Sequence, residues 1–186
     1  MRREIILLAL AAVLSYFAEA MYSPFYAVYV EKIGGGVVDA GVAWGIYMSV
    51  IGLMTFFVAR FVDRLKRHVW ILYTGFLAAS LLSFSYLLMR NVVELYLLQF
   101  LMGLVWAAVN PVWDAYYSLF ISKRTAATDR SLFEGGSRLA NGIGAFLGGI
   151  IIAFLGFKGV FILAGTLNLL AAVMLFLYRQ SFSIVY

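Results

Sequence analysis

The chain has 186 residues, of which 65% are hydrophobic and 12% charged, with no cysteine and a formal net charge of +5. A soluble domain carries about 25% charged residues, so a water-soluble fold is not expected, and the lack of cysteine excludes disulfides and thiolate-held metals. The positive charge sits in short segments between apolar runs, so nucleic acid is not an expected partner.

A bilayer core needs roughly 20 apolar residues of helix, each rising about 1.5 Å. Six runs meet that need, near residues 5–30, 39–62, 69–89, 95–121, 131–155 and 159–178. The expected fold class is all-α: a polytopic membrane protein with one domain, 1–186, of six transmembrane helices. The first run follows Arg2 and Arg3 as a signal peptide would, but stays apolar from Ile5 to Val30, so it is read as a retained helix. Ser15, Glu19, Tyr22, Tyr26 and Tyr29 recur at steps of four and three and share one helix face. A carboxylate near the middle of a span is costly to ionise unless paired or hydrated. Glu19 is therefore the leading candidate for a group whose charge follows occupancy.

The second run ends in "ARFVDRLKRH", Ala59 to His68, which holds four Arg or Lys, Asp63 and the only His. In the fourth run Gln99, Gly103, Trp106, Asn110, Trp113 and Tyr117 form a second stripe. Facing lipid, either stripe would be costly, so both should face a bundle interior or a wet cavity; only Tyr29 and Tyr117, near helix ends, suit an interfacial belt. The aromatic residues offer apolar and cation-π walls, and Asn110 and Gln99 offer hydrogen bonds. Such a lining suits a small amphipathic cation and also a sugar. In the fifth run Arg130, Glu134 and Arg138 are spaced four apart, as in an intrahelical ion ladder, and Asp114 is expected to reach Arg138 as part of a structural or gating network. Gly136, Ala140, Gly144 and Gly148 form a stripe of small residues suited to close helix packing.

With a cytoplasmic N-terminus, Arg2, Arg3, Arg60, Arg64, Lys66, Arg67, Lys123, Arg124, Arg130 and Arg179 fall inside and Lys32, Arg90 and Lys158 outside. This bias follows the positive-inside rule. It predicts one orientation, with both termini cytoplasmic, in the plasma (inner) membrane of a prokaryote.

"ARFVDRLKRH" also resembles the loop G-x-x-x-D-R-x-G-R-K between the second and third helices of major facilitator superfamily transporters. Asp63, Arg64 and Arg67 match, and Ala59 and Lys66 replace its glycines. "ANGIGAFLGG", Ala140 to Gly149, is similar to the antiporter motif G-x-x-x-G-P-x-x-G-G, with Gly144, Gly148 and Gly149 matching and Ala145 in place of Pro. The resemblance implies one six-helix half built of 3+3 inverted repeats. "YSPFYAVYVEK" and "NPVWDAYYSLFISK", which contain the only two prolines, are weak traces of that repeat. It further implies a cavity lined by the first and fourth helices and alternating access, with a parallel homodimer supplying the second half. Helix 2 would then meet the partner's helix 5 through its small-residue stripe, and Asp63 would latch near that helix's Thr128–Ser131 end. The function expected is a proton-coupled exporter of a small amphipathic or cationic substrate, with the proton as coupling ion and no metal or cofactor. The alternatives are a sugar or other small-solute carrier, or a half that needs a separate partner chain. A Ser-His membrane protease would need a His at depth, and His68 is in a loop.

Overall fold

A computed structural model describes residues 3–62, 69–120 and 126–180. The described residues are helical almost throughout: α1 (Arg3–Ala20), α2 (Tyr26–Lys32), α3 (Val37–Val62), α4 (Val69–Ser85), α5 (Val92–Phe120) and α6 (Ala126–Leu177). Among the described residues, five helical stretches are long and apolar enough to cross a membrane: Ile6–Lys32, Val37–Phe61, Val69–Leu88, Val92–Ser118 and Phe133–Leu177. The motif residues Asp63, Arg64 and Arg67 lie outside the described residues.

Local chemistry explains where the helices depart from the expected bounds. The first run is divided because Pro24 has no N–H to continue the helix; α1 stops at Ala20, a short 3-10 turn covers Ser23–Phe25, and α2 resumes at Tyr26. Pro111, in contrast, is accommodated inside α5. Both α3 and α5 start earlier than expected because their first turns are capped. The Gly36 amide donates to Asp39 Oδ2 at 2.8 Å. The Glu94 amide donates to Asn91 Oδ1, and Asn91 Nδ2 donates back to Glu94 Oε1, both at 2.9 Å.

The fifth and sixth expected helices are joined in α6, which is broken at Gly156, where φ is 69° and ψ −175°. That backbone region strains any residue with a Cβ. Before the break, Gly144 packs beside Phe17 and Ala20 and Gly148 beside Met21. After it, Phe157 meets Tyr29 at 5.3 Å and Phe161 meets Tyr22 at 5.5 Å. Asn168 then bonds to Ser15, and Leu175 joins Leu7 and Leu8 in one apolar cluster. The chain thus runs along α1, turns at Gly156 and returns along it.

The packing of α6 corrects the expected use of the small-residue stripe. Ala140, Gly144 and Gly148 are buried, with Gly144 against α1 and Gly148 against Met21 just past its end, so these positions of the stripe are already packed within the chain. A Cβ at Gly148 would collide with the Met21 carbonyl, which makes glycine the residue that allows this approach. Gly136 is exposed and has open space around it. The outward surface of this arm instead carries Leu139, Ile143, Phe146, Ile150 and Phe154. The span in α3 is the least buried of the five and exposes Leu53, Phe56 and Phe57.

Two apolar cores hold the bundle. One joins Leu7, Leu8 and Ala11 to Leu72, Phe76, Val112 and Leu175. The other joins Tyr26, Tyr29 and Val30 to Ala43, Tyr47, Tyr86, Leu95 and Phe161. Between them along α1 lies a polar level with Ser15 and Glu19, where the cavities open.

Candidate functional site

Three contiguous cavities occupy this level. A cavity of about 280 Å³ lies between α1 and α5 and is lined by Ser15, Tyr16, Trp106, Asn110, Trp113 and Asp114, among others. A larger one of about 770 Å³ brings Glu19, Trp113, Asp114, Glu134 and Arg138 together, with Trp44 of α3 on its wall. The third is a small space of about 10 Å³ lined by Glu19, Tyr22, Tyr26, Tyr47, Tyr86 and Gln99, among others. Tyr16, Trp113 and Asp114 are shared by the first two, and Glu19 and Trp44 by the last two.

The two stripes read from the sequence therefore converge. Their members are fixed to different degrees. Ser15 Oγ donates to Asn168 Oδ1 at 2.8 Å, a buried tie between α1 and the returning arm of α6. Gln99 Nε2 donates to the Tyr26 hydroxyl, and the Tyr29 hydroxyl donates to the Tyr86 carbonyl at 2.8 Å. Trp106 stands edge-on to Phe76 at 5.8 Å. Trp113 stacks on Tyr117 at 4.7 Å and touches Phe133 of α6 at 4.6 Å. Glu19 is half-buried and makes no ion pair or side-chain hydrogen bond among the described residues, and Asn110 and Asp114 are exposed to the cavities.

The charged group at the open end differs from expectation in one link. Arg130 Nε donates to Glu134 Oε1 at 3.0 Å, as the spacing predicts, and this is the one ion pair among the described residues. No Asp114–Arg138 pair forms. The helices meet through Trp113, Tyr117 and Phe133, and the large cavity separates the two charged side chains elsewhere. Arg138 and Asp114 thus face the cavity and do not bridge it.

Sequence reasoning missed several wall residues. Trp44 sits in the largely apolar α3, and its ring lies 6.2 Å from that of Tyr26 and 5.4 Å from that of Tyr47. Ser137 is buried beside the large cavity, with its hydroxyl unpartnered. A signal for it was available: it lies next to Arg138 and one turn before Asn141, whose Nδ2 bonds to the Ser137 carbonyl at 2.9 Å.

Comparison with known proteins agrees with this architecture. The family model of the Major Facilitator Superfamily matches residues 8–183. An uncharacterised transporter of the same type from Methanocaldococcus jannaschii is 25% identical over 152 residues, 81% of this chain and 39% of that protein. The chain thus spans about two fifths of that relative's length. With a match over nearly its whole length, the chain belongs to the Major Facilitator Superfamily, a family of membrane transporters rather than enzymes.

Proposed function

We propose that the protein is a proton-coupled secondary transporter that exports a small amphipathic or cationic substrate by alternating access. The observation that carries this reading is the position of Glu19, mid-span, half-buried and unpaired among the described residues, where the open cavity meets the tyrosine-lined void. A carboxylate in that setting binds either a proton or a cation, and each excludes the other. Trp44, Trp113 and Tyr16 supply aromatic faces for the substrate, while Asp114 adds a second carboxylate. Arg138 and the Arg130–Glu134 pair line the mouth as gating charges.

The proposal includes six membrane crossings, with Phe133–Leu177 counted as two. Its 45 residues reach about 68 Å at 1.5 Å each, roughly twice the bilayer core. The non-helical backbone at Gly156 leaves peptide groups without helical partners, so it belongs at the membrane surface, where exposed Lys158 also lies. One crossing before this turn and one after it, added to the four earlier spans, would give the six that a 3+3 inverted arrangement needs.

One such unit lines only one side of a cavity. We assign the other side to a second copy in parallel, with the exposed residues of α3 against the outward face of α6, Leu139 to Phe154, in place of the small-residue stripe. A further six-helix unit is the second reading, favoured by the greater length of the Methanocaldococcus jannaschii relative. The mass of the purified protein free of detergent decides between them. A two-chain species is expected; a persistent single chain in lipid nanodiscs would refute the homodimer.

Transport is tested in proteoliposomes carrying an imposed proton gradient and a fluorescent quaternary-ammonium dye. Glu19→Gln is expected to lower gradient-driven uptake at least about tenfold, the factor that corresponds to about 1.4 kcal/mol of lost interaction. Uptake by Glu19→Gln at the wild-type rate would remove Glu19 from the coupling step, and uptake by the wild type that ignores the gradient would identify a uniporter.

A further inference from the structure

Away from the central cavities, a groove of about 250 Å³ runs between α4 and the returning arm of α6. Its walls are Tyr73, Thr74 and Leu77 on one side and Leu169, Val173 and Phe176 on the other. None of its described lining residues is charged. The one hydroxyl on Thr74 is turned back onto the backbone, donating to the Trp70 carbonyl at 2.6 Å. Leu77, Leu169, Val173 and Phe176 are all exposed on the outside of the bundle. In a membrane-embedded chain this face meets lipid, not water.

One end of the groove is marked by charge. The Arg179 guanidinium lies over the Phe176 ring, 4.1 Å from its centre, and Arg179 Nη1 donates to the Phe176 carbonyl at 3.1 Å. Phe176 in turn stands edge-on to Tyr73 at 5.4 Å, so the ring that anchors the arginine also forms the groove wall. Arg179 lies just past the last apolar residues of α6, where a helix leaves the hydrocarbon core, and its remaining donors are exposed. An apolar slot inside the membrane that ends in one held cation at its surface matches an acyl chain joined to a phosphate.

We propose that this groove is a binding site for one anionic phospholipid, with an acyl chain along Leu77, Leu169 and Val173 and the headgroup phosphate on Arg179. An anionic lipid is preferred over a zwitterionic one because the groove end offers a positive charge and, among the described residues, no carboxylate lines it. The site is separate from the transport cavity and does not depend on how that cavity works.

The test uses the full chain in nanodiscs of phosphatidylglycerol and phosphatidylcholine in equal amounts, followed by mild detergent washing and native mass spectrometry. The wild type is expected to keep one phospholipid, with phosphatidylglycerol favoured about fivefold or more, of the order expected for one positive charge at the membrane surface. Arg179→Gln should keep a lipid but bring the preference below about twofold. Val173→Trp fills the groove from its exposed side and should lose the lipid of either class, with helical content unchanged as a check on folding. Equal retention of the two lipids by the wild type would overturn the proposal, as would an unchanged preference in Arg179→Gln or unchanged retention in Val173→Trp.

Discussion

At the α2 end of the bundle, Tyr86 stacks on Phe161 at 4.6 Å, Tyr29 meets Phe161 edge-on at 4.9 Å, and Tyr22 packs on both Tyr86 and Phe161. Beside Glu19 these rings leave a void with room for about one water molecule. Towards the other end, a similar set of rings, Tyr16, Trp44, Trp113, Tyr117 and Phe133, surrounds about 770 Å³. Aromatic content does not distinguish the two regions. What differs is the element behind the rings: the returning arm of α6 inserts Phe157 and Phe161 into the first, whereas in the second α5 and α6 touch mainly at Phe133. Closure at the α2 end comes from a helix placed behind the rings.

The largest effect is expected from Gly148→Leu, which sets a branched side chain against the Met21 backbone and pushes the outgoing arm of α6 off α1. Neither region can keep its shape after that, and loss of the folded protein in detergent is the expected result. A melting transition equal to the wild type's would mean that the two helices do not approach so closely.

A finer contrast sets Phe161→Ala against Trp113→Ala. Phe161 is 2% exposed and touches every aromatic residue of the closed end named above, so its truncation should cost about 3–5 kcal/mol. Trp113 borders two cavities and is only partly buried. Its truncation leaves fewer contacts unfilled and should cost less than about 2 kcal/mol. Thermal unfolding of both variants in one detergent checks the order, and equal losses would deny that the two regions differ in packing.

The sequence made some of this legible through simple periodicity. Glu19, Tyr22 and Tyr26 on one helix, and Gln99, Trp106, Asn110 and Trp113 on another, are polar or amphipathic residues at helical spacing in apolar surroundings, and the described cavities include all of them. The Arg130–Glu134 pair was legible because both partners lie on one helix at a fixed spacing. Contacts between helices were not. Nothing in the spacing of Asp114 and Arg138 reveals that a cavity separates them, and the stripe through Gly144 and Gly148 tells that a helix comes close without telling which one. Trp44 was passed over although Tyr47, three residues further along the same helix, marks the same face. The early starts of α3 and α5 could have been read from Gly36 with Asp39 and from Asn91 with Glu94.

The turn at Gly156 has a consequence for biogenesis. From Leu139 to Leu177 the sequence offers a single charge, Lys158, two residues beyond that glycine. A nascent chain carries no long polar loop there to hold one arm at the membrane surface while the next is synthesised. In the proposed six-crossing arrangement the two arms would enter the lipid together, as a helical hairpin that turns at Gly156 with Lys158 beside it. A residue that fixes the geometry of the folded protein would then also set the unit in which the ribosome's product enters the membrane.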